Sequence, residues 1–139
     1  MLGLDTLKRD APQVENRIEY IPDAGLEVIR GINCGVFFVM AWWSGTARAA
    51  FAELGRILAA LDPAGELRLV VADTDRLEAL TRWPPLEGIM AGYGEVLWMY
   101  GGDVLSTRGR GQGTDAFDRN TSALLERCRS EAGNPNSRR

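Results

Sequence analysis

Hydrophobic residues along this chain follow several distinct rhythms. From Val36 to Ala41 (VFFVMA) they run without a break, and a segment apolar on both faces predicts a central strand covered from both sides. Leu67 to Ala72 (LRLVVA) and Glu95 to Tyr100 (EVLWMY) predict further buried strands. Ala47, Phe51, Leu54, Leu58 and Leu61 recur at spacings of four and three, which predicts an amphipathic helix. Ser44 or Thr46 is placed to cap its first turn, and Asp62-Pro63-Ala64-Gly65 ends it. Two shorter alternating runs, Arg17 to Ile21 (RIEYI) and Leu26 to Arg30 (LEVIR), predict short strands on either side of a turn at Pro22 to Gly25.

Asp73-Thr74-Asp75 is placed to cap a short helix through Leu77, Leu80 and Trp83, which Pro84-Pro85 would stop. Gly101-Gly102 is a two-residue hairpin signal, so Asp103 to Thr107 should return antiparallel to the strand before it. A glycine-rich loop, Gly109 to Gly113, leads into a last helix with Phe117, Leu124, Leu125 and Cys128 on its buried face. At the other end, Leu2, Leu4 and Leu7 form one face of a short helix that Pro12 closes. The chain thus divides into an N-terminal extension of short helix and strand (1–30), a domain (31–129), and a polar tail (130–139) expected to be disordered. Helical crossovers imply parallel strands and the Gly-Gly hairpin an antiparallel edge. The expected fold is therefore α/β, a mixed central sheet with helices on both faces.

Composition narrows the chemistry. The 139 residues suit one compact domain. A net charge of −3 and a pI near 5.0 weigh against nucleic acid as a partner. With no histidine, the commonest general base, the Ser-His and Cys-His nucleophile pairs and the usual imidazole metal ligand are all missing. The two cysteines, Cys34 and Cys128, form no CxxC pair and no zinc signature, so neither a metal nor another cofactor is expected. The first seventeen residues lack the apolar core of a signal peptide, and the apolar run Val36 to Trp43 is too short to span a bilayer. These features point to the cytoplasm and away from a membrane. There thiols stay reduced, so Cys34 and Cys128 are read as two buried structural thiols, with a disulfide between them disfavoured.

The junction after the first apolar strand carries a family likeness. Trp43-Ser44-Gly45-Thr46-Ala47-Arg48 resembles the Trp-Cys-Gly-Pro-Cys-Lys motif of the thioredoxin family, with the tryptophan, the glycine and the basic residue in place and both cysteines replaced. Leu69 to Asp75 (LVVADTD) is similar to the family's strand that ends in an Asp-rich turn. Gly88 to Leu105 is similar to its segment carrying a cis-proline, a strand and a glycine hairpin, with Gly94 standing where that proline would be. The resemblance covers roughly residues 36 to 128 and implies a thioredoxin-like three-layer α/β/α sandwich. It does not carry over the redox activity. Dithiol exchange needs an attacking thiolate and a second thiol that resolves the mixed disulfide, and Ser44 and Ala47 provide neither.

The resemblance implies a binding groove formed by Trp42, Trp43, Ser44, Gly45 and Thr46 on one side and Tyr93, Gly94 and Glu95 on the other. The expected role is a redox-inactive adaptor, assembly or chaperone-like module for an unidentified protein partner, with disulfide reductase activity absent. Three other roles stay open at this stage. Ser44 at a helix N-terminus is either a cap or the anchor of a glutathione-binding, transferase-like site. A small acidic binder also suits a toxin-neutralising immunity protein. Residual redox chemistry through Cys34 is the third. Residues 1–30 either add a helix and strand to the domain or form an arm that closes a homodimer. Arg108 to Gly113 lacks Walker spacing and is read as a loop, and Asp73 and Asp75 as caps.

Overall fold

A computed structural model describes residues 3–77, 80, 82–109 and 112–132. Five strands form one sheet: β1 (Ile18–Tyr20), β2 (Cys34–Met40), β3 (Arg68–Asp73), β4 (Glu95–Tyr100) and β5 (Asp103–Arg108), in the order β1-β3-β2-β4-β5. β1 and β2 run parallel to β3, while β4 runs antiparallel to both β2 and β5. The unbroken apolar run is the middle strand, and Val36 through Met40 are all fully buried. Alternation then splits the core in two. Val36, Phe38 and Met40 face one helical layer, and Phe37 and Val39 face the other.

The first layer holds α1 (Leu4–Asp10), α3 (Gly45–Leu61) and α4 (Phe117–Ala132). The predicted helix face is the one that packs: Ala47, Phe51, Leu54 and Leu58 are buried, with Phe38 and Phe51 edge to face at 5.1 Å. Asp62 ends α3 by accepting from the backbone N–H groups of Glu66 (2.8 Å) and Leu67 (2.9 Å), and the guanidinium of Arg17 pairs with the same carboxylate. Residues 3–30 supply β1 to the sheet, and Leu7, Ala11, Val14 and Ile18 join the main core. On α4, Thr121 is buried and its hydroxyl accepts from the indole N–H of Trp98 at 3.0 Å.

The second layer differs from the sequence reading. Leu26–Arg30 is not a strand but a five-residue helix, α2. Both β1 and β2 lie parallel to β3, so the chain between them must cross a face of the sheet, and a helix does this while burying Ile29. The helix expected after Asp73 opens instead as a 3-10 turn, Thr74–Arg76, and Leu80 and Arg82 are again in 3-10 geometry; Leu77, Leu80 and Leu86 still reach the core, while residues 78, 79 and 81 lie outside the described ones. The tail was expected to be disordered from Ser130, yet α4 runs on to Ala132; residues 133–139 lie outside the described ones. No helix among the described residues is long and apolar enough to cross a membrane.

The two cysteines are not separate thiols. Cys34 opens β2, Cys128 lies near the end of α4, and the two form a disulfide with Cα atoms 6.3 Å apart. The sheet and helix meet there, which the 94-residue separation in sequence gave no means of seeing. Both residues are also half-buried instead of sealed in the core.

Candidate functional site

The site lies where β2 ends, α3 begins and the chain turns into β4. Ser44 is the N-cap of α3: its Oγ accepts from the backbone N–H of Ala47 at 3.1 Å, while Thr46 stays exposed. The hydroxyl therefore occupies the first turn of the helix as a cap. Ala47 is fully buried behind it. Arg48, the basic residue of the motif, holds Asp10 on α1 through two bonds of 2.9 and 3.0 Å. That pairing turns the cation toward the N-terminal helix.

The adjacent tryptophans part company. Trp42 is half-buried, its ring edge to face with Tyr20 at 6.0 Å, on the side of the main core. Trp43 is 67% exposed, the most exposed large hydrophobic residue described. Its indole lies against the main chain of Gly92: a Cβ there would fall 2.2 Å from Cη2. Gly92 also has φ of +78°, a conformation that suits glycine alone, so the contact needs glycine for two separate reasons. Tyr93, also exposed, follows directly. The structure therefore brings Trp43, Ser44, Gly45, Thr46 and Tyr93 to one surface.

Gly94 and Glu95 lie beneath that surface. Gly94 is buried with φ of +83°, and a Cβ there would come within 2.7 Å of Phe38 Cζ. The turn holds two glycines of positive φ, Gly92 and Gly94, and no described peptide bond is cis. Glu95 has no solvent exposure. Its Oε2 accepts from the N–H groups of Tyr93 (3.0 Å) and Ala91 (3.3 Å), and its Oε1 has no hydrogen-bond partner. Burial pushes the Glu95 carboxyl above the usual range, opposed by those N–H groups and by the charge of Arg108.

Sequence reasoning missed Arg108, read as the edge of a loop. It is 4% exposed. One Nη donates to the carbonyls of Tyr93 (2.6 Å) and Gly94 (2.7 Å), and Nε to those of Gln112 (3.0 Å) and Gly113 (3.3 Å). The guanidinium also stands 5.5 Å from the ring centroid of Phe117. Arg108 thus ties the turn before β4 to the turn before α4. Glu95 and Arg108 together use both the N–H and the C=O of Tyr93. The only textual hint was a carboxylate opening an otherwise apolar strand. Among the described residues, no group of three or more His, Cys, Asp or Glu gathers as metal ligands.

No family model and no curated protein matches this sequence. Solved structures do match. Desulfothioredoxin from Desulfovibrio vulgaris Hildenborough, in its reduced form, aligns with a TM-score of 0.54 at 12% identity, over 81% of this chain and 97% of that one. Reduced Schistosoma mansoni thioredoxin pre-protein gives 0.54 at 15% identity, over 80% and 98%. A chain from a study of thiol resolution in yeast mitochondrial 1-Cys peroxiredoxin through the glutathione and thioredoxin systems gives 0.53 at 15% identity, over 81% and 94%. The fold is thioredoxin-like. At such identities the likeness establishes architecture, and the chemistry must come from this chain's own residues.

Proposed function

We propose that this thioredoxin-like domain is a redox-inactive binding module, an adaptor that recognises a protein partner through the exposed indole of Trp43 and the ring of Tyr93. The observation that carries this reading is the placement of Trp43. A large aromatic side chain is held in solvent by a glycine shaped to receive it, beside a helix start whose attacking position is a capping serine. Exposed tryptophan and tyrosine on a fixed frame are the residue types that dominate protein interfaces. Dithiol exchange has no attacking sulfur at Ser44 and no resolving sulfur at Ala47. Nucleic acid is not the partner expected of a chain with net charge −3.

Two measurements test the reading. Affinity capture from the source cell should return a partner with the wild type and lose it with Trp43→Ala, whose fold should be intact because the indole is mostly solvent-exposed. Dithiol-driven reduction of insulin should stay at background. A partner retained at full strength by Trp43→Ala would remove the site, and insulin reduction above background would remove the claim of inactivity.

A further inference from the structure

The indole of Trp43 lies on Gly92, and Gly92 belongs to a segment that does not hold itself. Among the described residues, no backbone-to-backbone hydrogen bond involves residues 90–93. Two side chains supply what the main chain lacks. Oε2 of Glu95 accepts from the N–H groups of Ala91 (3.3 Å) and Tyr93 (3.0 Å), so one oxygen bridges the residues on either side of Gly92. Beyond Gly92, Arg108 donates to the carbonyls of Tyr93 (2.6 Å) and Gly94 (2.7 Å). Glu95 is fixed in its turn by its place at the start of β4, opposite Val39 of β2.

A carboxylate is a costly occupant of that place. The next four residues of β4, Val96 to Met99, are apolar and fully buried, and Glu95 has no solvent exposure either. A charge taken out of water destabilises the fold unless hydrogen bonds offset it. Oε1 of Glu95 has no hydrogen-bond partner, and the bonds to Oε2 come from the turn. An apolar residue would serve the sheet as well, as it does at the next four positions. What the carboxylate adds is acceptance from the two N–H groups that flank Gly92.

We propose that Glu95 is the positioning residue for Trp43: from beneath the surface it fixes Gly92, and Gly92 sets where the exposed indole stands. Glu95 itself touches nothing outside the domain. Arg108 holds the far side of the same turn and supports this placement. The consequence for recognition rests on the reading of Trp43 as the partner-binding residue, while the placement of the ring does not.

The test uses the full chain, isotopically labelled, in solution nuclear magnetic resonance without a partner. In the wild type, ring protons of Trp43 should show strong Overhauser contacts to the α protons of Gly92, and the amides of Ala91 and Tyr93 should be protected from exchange. Glu95→Leu should fold, because Arg108 keeps its four carbonyls, and the indole N–H of Trp98, bonded to Thr121, should keep its resonance as the control. In that variant the two amides should exchange about tenfold faster, the loss expected of hydrogen bonds to a charged acceptor, and the Trp43–Gly92 contacts should fade. Glu95→Gln, whose amide oxygen accepts without the charge, should fall between the two and rescue most of the contact. Wild-type contacts and exchange in folded Glu95→Leu would overturn the proposal, as would a glutamine variant no better than leucine. Should the leucine variant fail to fold, amides as protected in Glu95→Gln as in the wild type would overturn it, and faster exchange there with weakened contacts would support it. Partner binding retained by Trp43→Ala would remove the recognition role of the indole, and these resonances would still decide whether Glu95 places it.

Discussion

The indole of Trp43 rests on the α-carbon of Gly92, so closely that a methyl group at Gly92 would sit 2.2 Å from Cη2. Gly92→Ala should therefore act twice. The residue is strained at φ of +78°, at about 1–2 kcal/mol, and the ring is pushed away. In a double-mutant cycle with Trp43→Ala, the steric share should vanish and the backbone share remain. Denaturant midpoints of the four proteins measure this, and strictly additive effects would contradict the contact.

Arg108 should be worth more to stability than an arginine on the surface. Arg108→Ala strands four carbonyls and leaves Glu95 without its nearby cation, a loss of about 3–5 kcal/mol by analogy with a broken buried pair. Arg108→Lys should recover only part, since an ammonium cannot reach both turns as a planar fork does. Urea unfolding of both variants checks this, and a loss below about 1 kcal/mol for the alanine would show that solvent replaces the clamp.

Glu95 should give the domain a pH dependence of definite sign. Burial raises its folded-state pKa above the unfolded value, so the folded protein holds that proton more tightly. The resulting stability is present below the usual glutamate range and is lost as pH rises through the folded-state value. Glu95→Gln should remove that decline while leaving the acid-side loss from Glu19, whose pKa the hydrogen bond from Arg68 lowers. Stability profiles that run parallel from acid to neutral pH would exclude the assignment.

The indole N–H of Trp98 has its bond at 3.0 Å from the hydroxyl of Thr121, in a part of the core closed to water. Thr121→Val keeps the shape and removes the acceptor, which should cost about 1–3 kcal/mol for an unpaired buried donor. Thr121→Ser should hold most of the bond. Thermal unfolding of the pair is the measurement, and equal midpoints for valine and serine would argue that the bond is immaterial.

The strands with strong, continuous patterns were readable. Glu95 to Tyr100 emerges with the bounds its apolar run implies, and α3 packs along the row that Ala47, Phe51, Leu54 and Leu58 mark out. LEVIR was misread because five residues cannot separate a period of two from one of 3.6, and the requirement for a crossover lies in the pairing of β1 and β2 with β3. At the site, the replacement of the dithiol by Ser44 and Ala47 was visible. The inward turn of Trp42, the burial of Glu95 and the clamp by Arg108 were not, because each depends on residues brought together from distant parts of the chain.

What the sequence by itself determined is local: where apolar runs begin and stop, that Ser44 or Thr46 caps α3, and which atoms the helix start lacks for redox chemistry. These follow from periodicity and side-chain identity within a few residues. What only the tertiary structure decided is the exposure of Trp43, the coupling of Glu95 and Arg108 through Tyr93, and the joining of Cys34 to Cys128. The first and last are meetings of chain segments far apart in sequence, whose distance packing against the sheet fixes; the second depends on how two side chains turn across the β4–β5 hairpin that Gly101-Gly102 announced.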